Sequence, residues 1–107
     1  MKCPMVALIA AGLLSVTAHA QDAAGKQVYD KWCTPCHGSG LGRPGTMVLE
    51  QRYRGTIPAL LEERTDLTRE FLETFVRQGV GVMPQFRKTE ITDADLDAMV
   101  RYLTNAR

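Results

Sequence analysis

One short motif constrains this chain more than its overall composition does. Cys33, Cys36 and His37 belong to the pentad Cys-Thr-Pro-Cys-His at residues 33–37. Two thiols three residues apart can react with the two vinyl groups of one haem, and a histidine directly after them can supply an axial nitrogen to the iron. The pentad is therefore typical of covalent attachment of one haem c, with Cys33 and Cys36 as attachment points and His37 as a metal ligand.

Two other uses of paired cysteines fit the sequence less well. A structural zinc site needs four protein ligands, and outside the pentad only Cys3 and His19 remain, both near the N-terminus. The order Trp-Cys-Thr-Pro-Cys at residues 32–36 matches the redox centre of thioredoxins. That centre follows a strand in a βαβ framework, whereas the residues before the pentad predict a helix and no β-rich run follows it. We therefore interpret the pentad as a site of haem attachment.

The first twenty residues predict an export signal. Lys2 gives a positive start, an apolar run follows at residues 5–14, and the small residues Ala18 and Ala20 lie just before a cleavage point after Ala20. The apolar run has about half of the ~20 residues that a membrane span needs. We expect residues 1–20 to be a cleaved signal peptide and residues 21–107 to be one mono-haem domain without a membrane anchor. The expected location is the periplasm.

The nearly equal numbers of basic and acidic residues limit the kinds of molecule that this protein is expected to bind. The chain has 13 Lys and Arg residues and 12 Asp and Glu residues, and removal of Lys2 with the signal leaves the two signs equal. A nucleic-acid binder would show a basic excess, so we expect no nucleic-acid partner. The remaining chain is too short to bury a large core unaided. A cofactor is therefore expected to complete its interior.

The rest of the chain predicts short helices and no long strand. The predicted helices run from the N-cap Asp22 to Trp32, over residues 58–64, from Thr68 to Gln78, and from Thr92 onward. Residues 38–46 are rich in glycine and predict a loop. We therefore expect an all-α domain, with about four short helices wrapped around one haem.

One methionine is favoured for the second axial position of the iron. With the signal removed, His37 is the only histidine left, so a thioether sulfur is the next choice. Met99 belongs to the apolar face of the last helix, and Met47 follows His37 too closely to reach the opposite side of the ring. Met83 lies in the Gly-rich segment 79–84 and precedes a proline, which favours an extended backbone. We assign His37 and Met83 as the metal ligands.

Two further residues are assigned to the haem site. An iron-bound imidazole needs a partner for its other ring nitrogen, and the carbonyl of Pro44 is our candidate partner for His37. Trp32 directly precedes the pentad, and we assign it to the cofactor as well. The expected cofactor-binding residues are Cys33, Cys36, His37, Met83, Pro44 and Trp32. No catalytic residue is expected.

Together these elements resemble the class I cytochrome c family over residues 21–107. In that family a first helix leads into the pentad, a Gly/Pro loop follows, a later loop supplies a methionine, and the last helix crosses the first. Gly25 and Tyr29 match the first helix, Met83-Pro84 the methionine loop, and Tyr102-Leu103 the last helix. The resemblance implies the cytochrome c fold, with Gly25 and Tyr29 packed against Met99 and Tyr102-Leu103. It also implies a carrier of single electrons.

Residues 52–68 and 82–96 are similar to a narrower group, the cytochrome subunits of 4-cresol-hydroxylase-like flavin dehydrogenases. This resemblance implies a periplasmic dehydrogenase, in this group a flavin-dependent one, as electron donor. The expected acceptor is a terminal oxidase or another cytochrome. We expect an electron carrier rather than an enzyme, and two alternatives stay open. One is a tightly bound subunit of an alkylphenol-type dehydrogenase, and the other is an open-site haem protein that binds a gas or peroxide.

Overall fold

A computed structural model describes the backbone of residues 12–104 and the side chains of residues 19–104. Its helices are α1 (Gly12–Trp32), α2 (Thr34–His37), α3 (Pro44–Tyr53), α4 (Arg69–Gln78) and α5 (Asp93–Thr104), with a 3₁₀ turn at Leu61–Glu63. In this part of the chain the β pairing is limited to an isolated bridge between Val80 and Met83. The predicted all-α fold class is confirmed.

The first helix begins earlier than predicted. Helix α1 starts at Gly12, so Asp22 lies in its interior and is not its N-cap. The alanines and leucines before Asp22 favour continued helix. Among residues 19–32 of α1, whose side chains are described, residues 19–24 are exposed and Gly25 is the first buried residue. Residues 1–11 of the predicted signal peptide lie outside the described residues, and none of the described helices is long and apolar enough to cross a membrane.

Helices α1 and α5 cross closely at Gly25. A β-carbon at this position would overlap the carbonyl oxygen of Ala98 and would lie 2.6 Å from the Cβ of Tyr102. One turn further along α1, the ring centroids of Tyr29 and Tyr102 are 5.9 Å apart. The missing side chain at Gly25 therefore lets the two backbones approach. The predicted packing of Gly25 and Tyr29 against the last helix is confirmed.

The core lies where α1, α4 and α5 meet. Tyr29, Ile91, Met99 and Val100 are almost completely buried. The same cluster is completed by Leu67, Leu72, Val76, Leu96 and Leu103. Burial of apolar side chains is the main favourable contribution to folding. Met99 is 1% exposed, so its sulfur belongs to this core, as predicted.

Helix α4 begins and ends at the predicted residues. The hydroxyl of Thr68 accepts a hydrogen bond from the N–H of Phe71 at 3.2 Å, which satisfies one of the free amide groups of the first turn. Leu72 and Val76 are buried on the face toward the core. The last helical residue is Gln78, and Gly79 caps the helix with a φ of 68°, which is unfavourable for residues with a side chain.

Helix α5 begins with the predicted capping arrangement. The N–H of Asp95 donates to the hydroxyl of Thr92 at 3.1 Å. Ile91 before the cap is 0% exposed and Leu96 is 5% exposed, and both belong to the core. This pairing of apolar residues around an N-cap is a hydrophobic staple, which fixes the direction in which the chain enters the helix.

The first three residues of α3 lie in the predicted loop, and the rest of this helix was not predicted. The predicted loop at residues 38–46 is too long, because α3 already begins at Pro44. Proline suits the first helical position, since its fixed φ is helical and its missing N–H would have no partner there. The helix ends at Arg54, which adopts a left-handed φ of 48° and is followed by Gly55.

The segment between α3 and α4 is held by Arg64, whose side chain is 5% exposed. Its guanidinium donates to the carboxylate of Asp66 at 2.9 and 2.6 Å and lies over the rings of Tyr53 and Phe71. These hydrogen bonds lower the pKa of Asp66. The predicted helix at residues 58–64 is wrong, since only a 3₁₀ turn forms there. Arg64 itself is extended, which directs its side chain toward Asp66.

We expect Gly25→Val to destabilise the haem-loaded protein by about 1–3 kcal/mol, because the new side chain would meet the backbone of α5. Ala24→Val is the matched control, since Ala24 is the exposed neighbour on the same helix. Both variants introduce a valine, whose branched side chain has the same unfavourable effect on helix formation at either position. The measurement is denaturant unfolding of both variants. Equal stability of the two variants would contradict the close crossing.

Candidate haem site

The pentad lies at the junction of α1 and α2. The N–H of Cys33 donates to the carbonyl of Tyr29 at 2.8 Å, and the carbonyl of Cys33 accepts from the N–H of His37 at 2.7 Å. Pro35 falls in the first turn of α2, where a missing N–H does not interrupt the helix. The Tyr29 hydroxyl donates to the carbonyl of His37 at 3.3 Å. The thiols and the imidazole therefore belong to one turn of chain that is tied to α1.

The two thiols are both free and differ in burial. Cys33 is half-buried and Cys36 is exposed. Burial raises the pKa of the Cys33 thiol to about 12, so this thiol is protonated at neutral pH. A thioredoxin-type centre needs a thiol pKa that is lowered toward neutrality. The site therefore does not have the electrostatics of a redox dithiol, in agreement with the interpretation drawn from the sequence.

The imidazole of His37 is half-buried, and burial lowers its pKa. The ring is therefore neutral at pH 7, which is the form that binds a metal. Its Nδ1 is buried and has no hydrogen-bond partner among the residues that the structure describes, so the predicted bond to the carbonyl of Pro44 is not made. Pro44 is the first residue of α3, and a carbonyl at that position is directed along the helix axis.

The imidazole packs against the backbone of Gly45. A β-carbon at Gly45 would lie 2.8 Å from Cε1 and 2.9 Å from Nδ1 of His37, and 2.8 Å from the carbonyl oxygen of Cys36. The next residue, Thr46, is buried, and its hydroxyl donates to the carbonyl of Gly38 at 2.8 Å. Sequence reasoning missed both residues, because the order Pro-Gly-Thr predicts only a loop.

Met83 lies in a tight turn after α4. The N–H of Val80 donates to the carbonyl of Met83 at 3.1 Å, and the N–H of Met83 donates to the carbonyl of Val80 at 2.9 Å. Gly81, inside the turn, has a φ of 56°. A β-carbon at Gly79 would lie 2.6 Å from the carbonyl oxygen of Met83, so a glycine is required there too. Met83 is half-buried against the core cluster.

The end of α1 and the Met83 turn meet the same core. Trp32, Cys33, Met83 and Phe86 all pack against the buried cluster. The rings of Trp32 and Phe86 meet edge to face, with centroids 5.9 Å apart. The ammonium of Lys31 lies 4.9 Å from the centroid of the Trp32 ring. The observed contacts of Trp32 therefore include the core cluster, Phe86 and Lys31, and its assignment to the cofactor stays a prediction.

These residues fit a covalently attached haem. Two unpaired thiols and a neutral imidazole stand at the spacing that attachment requires. Large apolar side chains are also exposed in the segments after the pentad and around Met83, where a large apolar ring could cover them. They are Leu41, Met47, Val48, Val80 and Val82. The two thiols with the imidazole, and the exposed apolar side chains around them, are therefore both compatible with haem binding.

Comparison with known proteins supports the same interpretation. A family model described as cytochrome c oxidase, cbb3-type, subunit III matches residues 20–103, which include the pentad, Met83 and nearly all of α5. The 4-cresol dehydrogenase (hydroxylating) cytochrome c subunit of Pseudomonas putida is 29% identical over 102 residues, covering 95% of this chain and 75% of that protein. No solved structure matches the chain significantly. The chain therefore belongs to the family described as cytochrome c oxidase, cbb3-type, subunit III, whose members are cytochrome c domains.

Proposed function

We propose that this electron-transfer haem protein is a periplasmic carrier of single electrons, with one haem c attached through Cys33 and Cys36. When bound, the haem supplies an iron that accepts and releases one electron. His37 would provide one axial ligand and Met83 the other. The observation that carries the proposal is the presence of two free thiols and a neutral imidazole on one turn of chain.

The positions of the methionines favour Met83 as the second ligand. Met99 is 1% exposed within the core between the helices. Met47 lies on α3, the helix that directly follows the loop after His37. Met83 is half-buried in a turn shaped by two backbone hydrogen bonds, and it belongs to a different part of the chain from His37. A thioether there would complete the coordination and exclude external ligands.

The contacts of the pentad suit a ligand that stays in place when the electron moves. The His37 carbonyl accepts from Tyr29, a residue that is 1% exposed. Gly45 and Thr46 hold the other side of the same segment. Because these contacts involve buried groups, the imidazole has little freedom to turn. Small rearrangement between the two oxidation states is what rapid electron transfer requires.

The proposed export agrees with the burial along α1. His19 and Ala20 are exposed, and so are the next four residues. Cleavage after Ala20 would therefore leave the contacts of Gly25 and Tyr29 with α5 intact. Residues 21–107 would then form the mature mono-haem domain.

The proposed electron donor is a periplasmic dehydrogenase. Support comes from the relative named as the cytochrome c subunit of 4-cresol dehydrogenase and from the resemblance of residues 52–68 and 82–96 to cytochromes of flavin-dependent dehydrogenases. We propose a flavin-dependent, alkylphenol-type enzyme as the donor and a terminal oxidase or another cytochrome as the acceptor. A fixed subunit of such a dehydrogenase is the second candidate, with the same electron-transfer chemistry.

The first prediction from the proposed function concerns the axial ligands. The oxidised protein, matured in a periplasm with haem-attachment machinery, is expected to be low-spin and to show a weak sulfur-to-iron band at long wavelength. Met83→Ala should remove that band and give a high-spin spectrum, because the sixth ligand is lost. Met47→Ala should keep it. An unmodified protein without the band would favour the open-site alternative, in which the iron binds a gas or peroxide.

A second prediction concerns the dependence of folding on haem. Cys33→Ser and His37→Ala should prevent accumulation of the protein, because a short chain with a small core depends on its cofactor for stability. The measurement is the yield of exported protein, with circular dichroism and protease digestion of any haem-free form. Thr74→Ser, an exposed change on α4, is the control and should accumulate normally. A helical, protease-resistant haem-free form would contradict the prediction.

A third prediction concerns the electron donor. The haem-loaded protein, mixed with the flavoprotein subunit of a 4-cresol dehydrogenase and 4-cresol, should be reduced, as followed by its visible absorption. Size-exclusion chromatography of the same mixture separates the two candidates, since a fixed subunit co-elutes with the flavoprotein and a shuttle does not. No reduction above the rate without flavoprotein would reject this class of donor.

A further inference from the structure

The segment that carries Met83 has no helix of its own. Residues 79–91, here called the distal loop, connect α4 to α5. The paired hydrogen bonds between Val80 and Met83 shape the turn. They do not attach it to the rest of the protein, because both partners lie within the loop. The position of Met83 relative to the core must therefore depend on other contacts.

Arg77, in the last turn of α4, makes three of these contacts. Its Nη1 donates to the carbonyl of Phe86 at 3.0 Å and to the carbonyl of Ile91 at 2.8 Å. Its Nη2 donates to the carboxylate of Asp93 at 2.9 Å. One side chain thus joins the end of α4 to the middle of the distal loop, to the end of the loop and to the first turn of α5.

The chemistry of these contacts favours arginine. A guanidinium is planar and carries five N–H donors in a fixed fork, so that it can reach several acceptors at once. The Arg77 side chain is 22% exposed, and hydrogen bonds from a charged donor are stronger than those between neutral groups. Without it, the carbonyls of Phe86 and Ile91 would lose a partner in a partly buried setting, which is unfavourable.

Phe86 links this arrangement to the pentad. Its N–H donates to the carbonyl of Val76 at 2.9 Å, so its backbone is bonded to α4 on both sides. Its ring meets the edge of Trp32, and Trp32 directly precedes Cys33. Phe86 lies three residues after Met83. Holding the backbone of Phe86 therefore fixes one end of the short stretch that contains Met83.

We propose that Arg77 is a positioning residue that holds the distal loop closed and so keeps the sulfur of Met83 at the iron. The inference rests on the proposed function, because it requires Met83 as a ligand. Loss of the three bonds should let the loop open more often while the core remains folded. An external ligand would then compete better with Met83, since its apparent affinity rises with the open fraction.

The test uses the oxidised, haem-loaded protein and imidazole as the competing ligand. Arg77→Met removes all three bonds and keeps an extended side chain. Arg69→Met is the matched control, because Arg69 is on the same helix and pairs with Glu73 at 3.0 Å and with Asp97 of α5 at 2.8 Å. Those partners lie outside the distal loop. Denaturant unfolding of each variant measures global stability separately.

Arg77→Met is expected to lower the imidazole concentration at half-saturation by about tenfold, whereas Arg69→Met should leave it within about twofold of the unmodified protein. Arg77→Lys keeps the charge near Asp93 but lacks the fork, so an intermediate shift is expected. Unchanged imidazole binding in Arg77→Met would overturn the inference. Equal shifts in Arg77→Met and Arg69→Met would also overturn it, since they would report lost stability alone.

The same experiment separates this inference from the proposed function. An unmodified protein without the sulfur-to-iron band would reject Met83 as ligand and, with it, a role for Arg77. A normal band together with unchanged imidazole binding in Arg77→Met rejects only the role of Arg77. Should Arg77→Met fail to accumulate, Arg77→Lys takes its place, and an unchanged half-saturation concentration in that variant overturns the inference.

Discussion

The close contact of α1 with α5 determines where the pentad proposed to bind haem can lie. Gly25 leaves no room for a side chain between the two helices, and Tyr29, one turn later, is 1% exposed against the same helix. Cys33 follows after one more turn and is hydrogen-bonded to the carbonyl of Tyr29. The packing at the crossing therefore sets the position of the thiols, because Cys33 directly follows the last residue of α1. A side chain at Gly25 would move the proposed attachment site relative to the core.

The two proposed ligands of the iron are held in different ways. His37 belongs to a segment whose contacts are mostly local, with Gly45 against its ring and Tyr29 bonded to its carbonyl. Met83 belongs to the distal loop, which depends on Arg77 from the preceding helix. In the proposed haem-loaded protein the local segment would also be fixed by the bonds of its thiols to the haem. The distal side would then be the more easily opened of the two, because it is attached by hydrogen bonds and apolar contacts and by no covalent bond to the haem.

Features that depend on local sequence could be predicted well. The pentad is recognisable because attachment needs two thiols and an imidazole at fixed spacing. The caps at Thr68 and Thr92 were predicted because a hydroxyl that accepts from a nearby N–H is a short-range property. The helix crossing at Gly25 could also be predicted, from the spacing of Gly25 and Tyr29 on one face of the helix and from the family resemblance. For the pentad and the caps the chemistry involves neighbours in the chain, whereas the partner helix at the crossing came from the family resemblance.

The remaining features depend on contacts between distant residues, or on the competition between local preferences. Asp22 is a good N-cap by itself, but helix-favouring residues before it continue α1 past that point. The carbonyl of Pro44 would be free in a loop, but Pro44 is the first residue of α3, where its carbonyl is directed along the helix axis. Arg77 has no local signature at all, since its partners lie 9, 14 and 16 residues away. A charged residue at the end of a helix predicts an exposed side chain until the fold brings three acceptors to it. The residues proposed to attach a haem can thus be found by their spacing, whereas the contacts of Arg77 become visible only once the chain is folded.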